Sequence, residues 1–276
     1  MLRERIREHC GSSCEILTLR RAPRFGATLF VADCMRRGRL VRMLGAIDRT
    51  GRVMEQSAMD LLRPERLVFG YERLMLAAFA LVPEPASALL LGLGGGAMSR
   101  HLQAYLPDCA VTVVERDPVV RSLARRYFRV TRPVVMADAG EVVAAARRAF
   151  DVVLVDLYDG GGAAETRARF WKDCLRALRP GGALGVNWAE FVGANRIQNE
   201  ARAIAGAIGR SFFIAERIAR PNVVQLAPTL RGVSVMQMPA RLKRFAEAHG
   251  LPREDRDILR RNDILSHNPL IAWGRR

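Results

Sequence analysis

Acidic side chains recur just after short apolar runs in this chain, at Glu115 with Asp117, at Asp138, and at Asp156 with Asp159. A carboxylate at such a position can accept a proton from an amine, hold a cation or bridge a pair of ribose hydroxyls. Upstream, Ala88 to Leu91 is an apolar run that meets Gly92-Leu93-Gly94-Gly95-Gly96-Ala97, with Gly92, Gly94 and Ala97 in G-x-G-x-x-A spacing. Glycines suit an abrupt strand-to-helix turn whose backbone closely approaches a ligand. Glu115 follows at roughly the ~20-residue offset at which an acid meets a ribose. These residues point to a nucleoside or nucleotide site. Asp117 and Asp138 taken singly also fit helix N-caps. Asp156 follows Val152-Val153-Leu154-Val155 and precedes Leu157-Tyr158-Asp159-Gly160-Gly161-Gly162, a loop able to fold over a ligand.

No rival catalytic set is visible. His9, His101, His249 and His267 lie in no metal-ligand spacing, and there is neither a G-x-S-x-G elbow nor a G-x-x-x-x-G-K loop. Cys10, Cys14, Cys34, Cys109 and Cys174 form no C-x-x-C pair and read as free thiols in a reducing compartment, with no metal. A reaction needing alignment and at most one base fits best, such as attack on an activated sulfonium carbon.

The elements that must position these groups alternate. Strands are expected at Leu89–Leu91, Val111–Val114, Val134–Met136, Val152–Val155 and Ala183–Asn187. Helices are expected near 98–106, 118–128, 140–148 and 166–178. That order predicts a mostly parallel sheet covered on both faces. Phe212–Arg217 and Asn222–Ala227 are too close for a crossover helix and read as an antiparallel hairpin closing it. Before it, Glu15–Leu19, Ala27–Ala32, Arg39–Leu44 and Arg52–Met59 read as a small antiparallel sheet. The helix expected over Glu72–Leu81 is stopped by Pro83 and Pro85. The domains expected are 1–65, a β-sheet unit, and 66–276, a Rossmann-like α/β unit whose tail is helical at Ala240–His249 and Glu254–Arg261.

The 276 residues carry a net charge of +16, which invites a polyanion reading. Yet only Lys172 and Lys243 are lysines, an arginine skew of the kind GC-rich codon usage produces, and the arginines are scattered along the chain. Nucleic-acid binding is therefore not expected as the main function. The charged start, Met1 to Ile6, is unlike a signal peptide, and no apolar run approaches the ~20 residues of a membrane span. A cytoplasmic protein is expected.

Leu89-Leu90-Leu91-Gly92-Leu93-Gly94-Gly95-Gly96, Val113-Val114-Glu115-Arg116-Asp117-Pro118, Asp138-Ala139, Phe150 to Asp156 and Leu178-Arg179-Pro180-Gly181-Gly182 resemble, in order and spacing, the spermidine synthase (polyamine aminopropyltransferase) family. That family has a class I methyltransferase-like fold. Gln56-Ser57-Ala58-Met59-Asp60 with Tyr71-Glu72 is similar to the segment joining its small β-domain to its nucleoside domain. The resemblance implies decarboxylated S-adenosylmethionine as donor, an amine or polyamine acceptor, no metal, and a homodimer. Cofactor contacts would fall to Gly92, Gly94, Gly95, Gly96, Glu115 (ribose), Arg116, Asp138 with Ala139 (adenine) and Gln56. Asp156 would be the base, with Tyr71 beside it, and Tyr158 and Asp159 would meet the acceptor. Two departures stand out. Gly95 replaces an Asp that in the family holds the donor's ammonium, and Asp159-Gly160-Gly161-Gly162 replaces a proline-containing turn. A methyltransferase using intact S-adenosylmethionine, or a non-catalytic nucleoside-binding protein of the same fold, are the alternatives.

Overall fold

The computed structural model describes residues 1–24, 26–157, 168–189, 194–208, 211–215, 222–261 and 263–265. Helix α1 (Leu2–Cys10) precedes four strands, β1 (Glu15–Ala22), β2 (Ala27–Arg36), β3 (Arg39–Ile47) and β4 (Val53–Asp60), which pair antiparallel in sequence order. Their side chains alternate as a period of two demands. Phe30, Ala32 and Cys34 of β2 pack with Ile6 of α1, whereas Leu29 and Val31 join the main core on the opposite face.

Next come α2 (Gly70–Met75) and α3 (Ala77–Ala80), then β5 (Ser87–Leu91), α4 (Ala97–Tyr105), β6 (Ala110–Glu115), α5 (Pro118–Tyr127), β7 (Val134–Met136), α6 (Ala139–Ala145) and β8 (Phe150–Val155). The chain continues through α7 (Ala168–Ala177), β9 (Leu178–Ala189), α8 (Ala194–Ile208), β10 (Phe212–Ala215), β11 (Asn222–Pro228), α9 (Met238–Ala248), α10 (Arg253–Arg261) and β12 (Asp263–Leu265). The larger sheet runs β12-β10-β11-β9-β8-β5-β6-β7. Strands β5 to β9 are parallel, and β11, β10 and β12 continue the sheet antiparallel. Both faces of the central strands are buried. Leu90 and Leu154 face the core shared with α2, α3 and α9, while Leu89, Leu91, Val153 and Val155 face the one under α6, α7 and α8.

The expected alternation of strand and helix, the mostly parallel sheet and the closing β10–β11 pair are all present. Three details differ. The expected Glu72–Leu81 helix is two short pieces hinged at Leu76. Strand β9 starts at Leu178, so Pro180-Gly181-Gly182 lies within it, beside a register irregularity against β8 and with Gly181 at φ 85°. Strand β12 adds a further antiparallel edge that its three residues are too few to announce. Among the described residues no helix is long and apolar enough to cross a membrane.

Candidate active site

Strand order reverses beside β5, which runs on to β6 on one side while β8, reached from β7, pairs on its other side, and the crevice beyond the carboxyl ends of such strands is where α/β sheets bind ligands. A cleft opens there, bounded by the glycine loop, Glu115, Asp138, Asp156 and Asn187, and closed by Gln56 and Ser57 of β4 from the smaller sheet. The loop is held against the sheet edge by backbone bonds from Gly92 N–H to the Val114 carbonyl at 3.0 Å and from Asp156 N–H to the Leu91 carbonyl at 2.9 Å. Gly92 has φ 105°, and a Cβ there would sit 2.2 Å from the Asp156 carbonyl oxygen, so only glycine lets the two strand ends meet.

Arg100 of α4 fixes the loop from below. Its buried guanidinium donates to the carbonyls of Gly95, Phe128 (2.8 Å) and Pro64 (3.0 Å). Burial lowers its pKa to about 10, which still leaves it charged at neutral pH.

Glu115 ends β6 with one carboxylate oxygen accepting from Asp117 N–H at 2.8 Å and the other from Leu93 N–H at 3.3 Å. These bonds aim the carboxylate along the glycine loop. Burial pushes its pKa up and the backbone donors oppose the shift. Asp117 and Asp138 are N-caps, accepting from Val119 N–H at 2.7 Å and Gly140 N–H at 2.8 Å. Asp138 nonetheless faces the cleft, with Arg116 Nη1 3.9 Å from its second oxygen, so capping and ligand contact are compatible there.

Asp156 sits at the end of β8. Asn187 Nδ2 of β9 donates to its Oδ1 at 2.9 Å, and the Tyr71 hydroxyl of α2 donates to its Oδ2 at 3.4 Å. The carboxyl is open to the cleft but walled by protein, and this desolvation raises its pKa, while Asn187 and Tyr71 pull it back by bonding the ionised form. Burial also holds the Tyr71 hydroxyl well above its ordinary value, so it stays a donor. A carboxyl made more basic by burial and steadied by two donors suits a general base.

The structure therefore brings together Gln56, Tyr71, the glycine loop, Glu115, Arg116, Asp138, Ala139 and Asp156. Tyr158 and Asp159 lie outside the described residues. Sequence reasoning missed three contributors. Asn187 was visible only as a strand-end residue, and its bond to Asp156 depends on β8–β9 pairing. Glu72 is buried in the cleft wall, and burial raises its pKa to about 8. Ser57 explains Gly95, because a Cβ at Gly95 would lie 2.8 Å from Ser57 Oγ and 3.0 Å from a Phe128 ring carbon. Among the described residues no group of three or more His, Cys, Asp or Glu could hold a metal ion.

A doubly wound sheet with an acid at the end of β6 and a glycine loop after β5 defines a nucleoside-binding domain of the methyltransferase class, and a family described as "Methyltransferase domain" matches residues 89–186. Relatives that match about two thirds or more of the chain are more specific. A polyamine aminopropyltransferase of Chromobacterium violaceum is 32% identical over 202 residues, covering 71% of this chain and 76% of the relative. A second, from Neisseria meningitidis, is 29% identical over 206 residues, covering 71% and 78%. The structure of a probable spermidine synthase from Corynebacterium glutamicum superposes with a TM-score of 0.69 at 17% identity, over 95% of this chain and 94% of that one. This chain belongs to the polyamine aminopropyltransferase family, a family of transferases, and its cofactor is accordingly one derived from S-adenosylmethionine.

Proposed function

We propose that the protein transfers an aminopropyl group from decarboxylated S-adenosylmethionine to a primary amine of a diamine or polyamine. The observation that carries this reading is the charge of the cleft. In a chain of net charge +16, the cleft carboxylates Glu115, Asp138 and Asp156, joined by Glu72 once a cation binds, face one cation among the described lining residues, Arg116, which favours a cationic acceptor and a cationic donor tail. The division at about residue 65 belongs to the same reading. The β1–β4 unit supplies the cleft roof through Gln56 and Ser57, and the α/β unit supplies the floor.

In this mechanism Glu115 accepts hydrogen bonds from the ribose hydroxyls and Asp138 from the adenine amino group. The acceptor nitrogen attacks the donor carbon bonded to the sulfonium, the carbon–sulfur pair leaves with sulfur as neutral methylthioadenosine, and the proton lost by nitrogen goes to Asp156. Tyr71 and Asn187 hold that carboxylate in line. Glu72, largely protonated at neutral pH when the cleft is empty, ionises against a bound ammonium and takes over part of the work of the family's missing loop Asp.

Gly95 gives the competing reading, a methyltransferase using intact S-adenosylmethionine, since the loop carries no carboxylate to repel a methionine carboxylate. Incubation with each donor and a diamine, followed by mass spectrometry, separates the two. Aminopropylated amine with methylthioadenosine is expected. Methylated acceptor with S-adenosylhomocysteine would replace this proposal by the second reading.

A further inference from the structure

Five of the arginines converge in space beside the cleft. An open groove of about 1000 Å³ adjoins its adenine end, sharing Arg116, Ala137 and Asp138 with it, and is lined by Arg24, Arg121, Arg125 and Arg126 in addition. Arg121 and Arg125 are one turn apart on α5, so they project from the same face. Arg24 reaches in from the β1–β2 connection and donates to the Arg116 carbonyl at 3.2 Å, which ties the two sheet units together at the groove. Among the described residues Arg24, Arg121, Arg125 and Arg126 have no carboxylate partner, and the groove's carboxylates, Asp138 and Glu141, leave a surplus of positive charge.

Gathering five guanidinium groups without matching acids costs repulsion that an anionic ligand relieves. The groove also offers flat and apolar surface. Met136 on the edge strand β7 is 37% exposed into it, beside Pro118 and Ala137. Guanidinium planes and apolar side chains next to cations suit bases as well as phosphates. We propose that this groove binds the backbone of a single-stranded nucleic acid, without sequence preference, at a site that adjoins the acidic cleft and centres on Arg24, Arg121, Arg125 and Arg126. The inference is independent of which group the cleft transfers.

Binding of a labelled single-stranded oligonucleotide of mixed sequence, followed by anisotropy across a salt series, tests it. The groove variant Arg121→Gln/Arg125→Gln is compared with Arg3→Gln/Arg7→Gln on α1, which removes the same charge from exposed residues that do not line the groove. The groove variant should bind about tenfold more weakly, and its log K against log salt slope should shrink by about 1.4, the value for two lost phosphate contacts on a single strand. The α1 variant should match the parent, and all three should transfer the group at the same rate. If melting shows the groove variant to be unfolded, Arg125→Gln/Arg126→Gln takes its place. Equal loss in both variants would overturn the proposal, since binding would then follow net charge. So would the absence of binding, or displacement by inorganic polyphosphate or polyglutamate as effective as by unlabelled oligonucleotide.

Discussion

At the level of single residues, the roles of Asp156 and Glu115 separate in measurement. Asp156→Asn removes the proton acceptor while keeping the side chain's size, so donor affinity should hold in calorimetry while kcat falls by ~10²-fold or more. Glu115→Ala should weaken donor binding by roughly 1.5–3 kcal/mol, the range for hydrogen bonds to a charged group, and leave turnover at saturating donor largely intact. Equal damage to binding and turnover in both would reverse the assignments. Asn187→Ala removes a donor that favours the ionised Asp156, so the acid limb of the kcat–pH profile should move to higher pH. Most of this site was legible because each acid follows an apolar strand directly, and a strand's end fixes where its next side chain points. Asn187, Glu72 and Ser57 were not, since each matters through a neighbour more than ten residues distant in sequence, and local pattern carries no pairing register.

Among the elements, α2 is the one on which the chemistry leans, since it presents Tyr71 to Asp156 yet spans only six residues. So short a helix has little stability of its own. Helix α10 braces it from the far end of the chain. Asp255 is fully buried, with Arg73 Nε of α2 at 2.9 Å from one oxygen and His101 Nε2 of α4 at 3.9 Å from the other, and Glu254 pairs with Arg66 at 2.6 Å. His101 Nδ1 lies 2.9 Å from the Glu65 carbonyl and, with burial lowering its pKa to about 4, the ring is neutral and Nδ1 is the donor. Burial raises Asp255 from 3.8 to about 6 in spite of Arg73. A carboxyl with a raised folded pKa binds more protons folded than unfolded between the two values, so stability falls as pH rises through that window. Glu72 acts with the same sign between its ordinary value and about 8. The melting temperature of the ligand-free protein should therefore decline from about pH 4 to about pH 8. Asp255→Asn should flatten the lower part of that decline and Glu72→Gln the upper part; an unchanged profile in both would mean that these carboxyls do not govern it. The hinge at Leu76 was hidden in the sequence because apolar spacing runs unbroken across it.

Taken whole, the molecule sets an acidic cleft in a strongly basic body, and that contrast governs encounter. A polyamine is repelled at long range and attracted only within about a Debye length, ~8 Å at physiological salt. The specificity constant for a diamine should rise with moderate added salt, measured by initial rates at low and moderate ionic strength; a steep fall would favour an anionic acceptor. The fold was readable at this scale because strand and helix periods alternate cleanly from residue 88 onward. Strand β12 escaped because three residues carry no period and gain their pairing only from the β10 edge. The contact of Ser57 with the glycine loop joins the two sheets, and it has a consequence for substitution. With Ser57 in place Asp at position 95 is crowded, because the new Cβ would lie 2.8 Å from Ser57 Oγ, 3.0 Å from a Phe128 ring carbon and 3.1 Å from the Ser57 Cβ. Gly95→Asp alone should lower the melting temperature, and adding Ser57→Gly should recover the part of the loss that comes from the serine while the part from Phe128 remains. The two substitutions are thus coupled across the two sheets: what one position tolerates depends on the residue at the other.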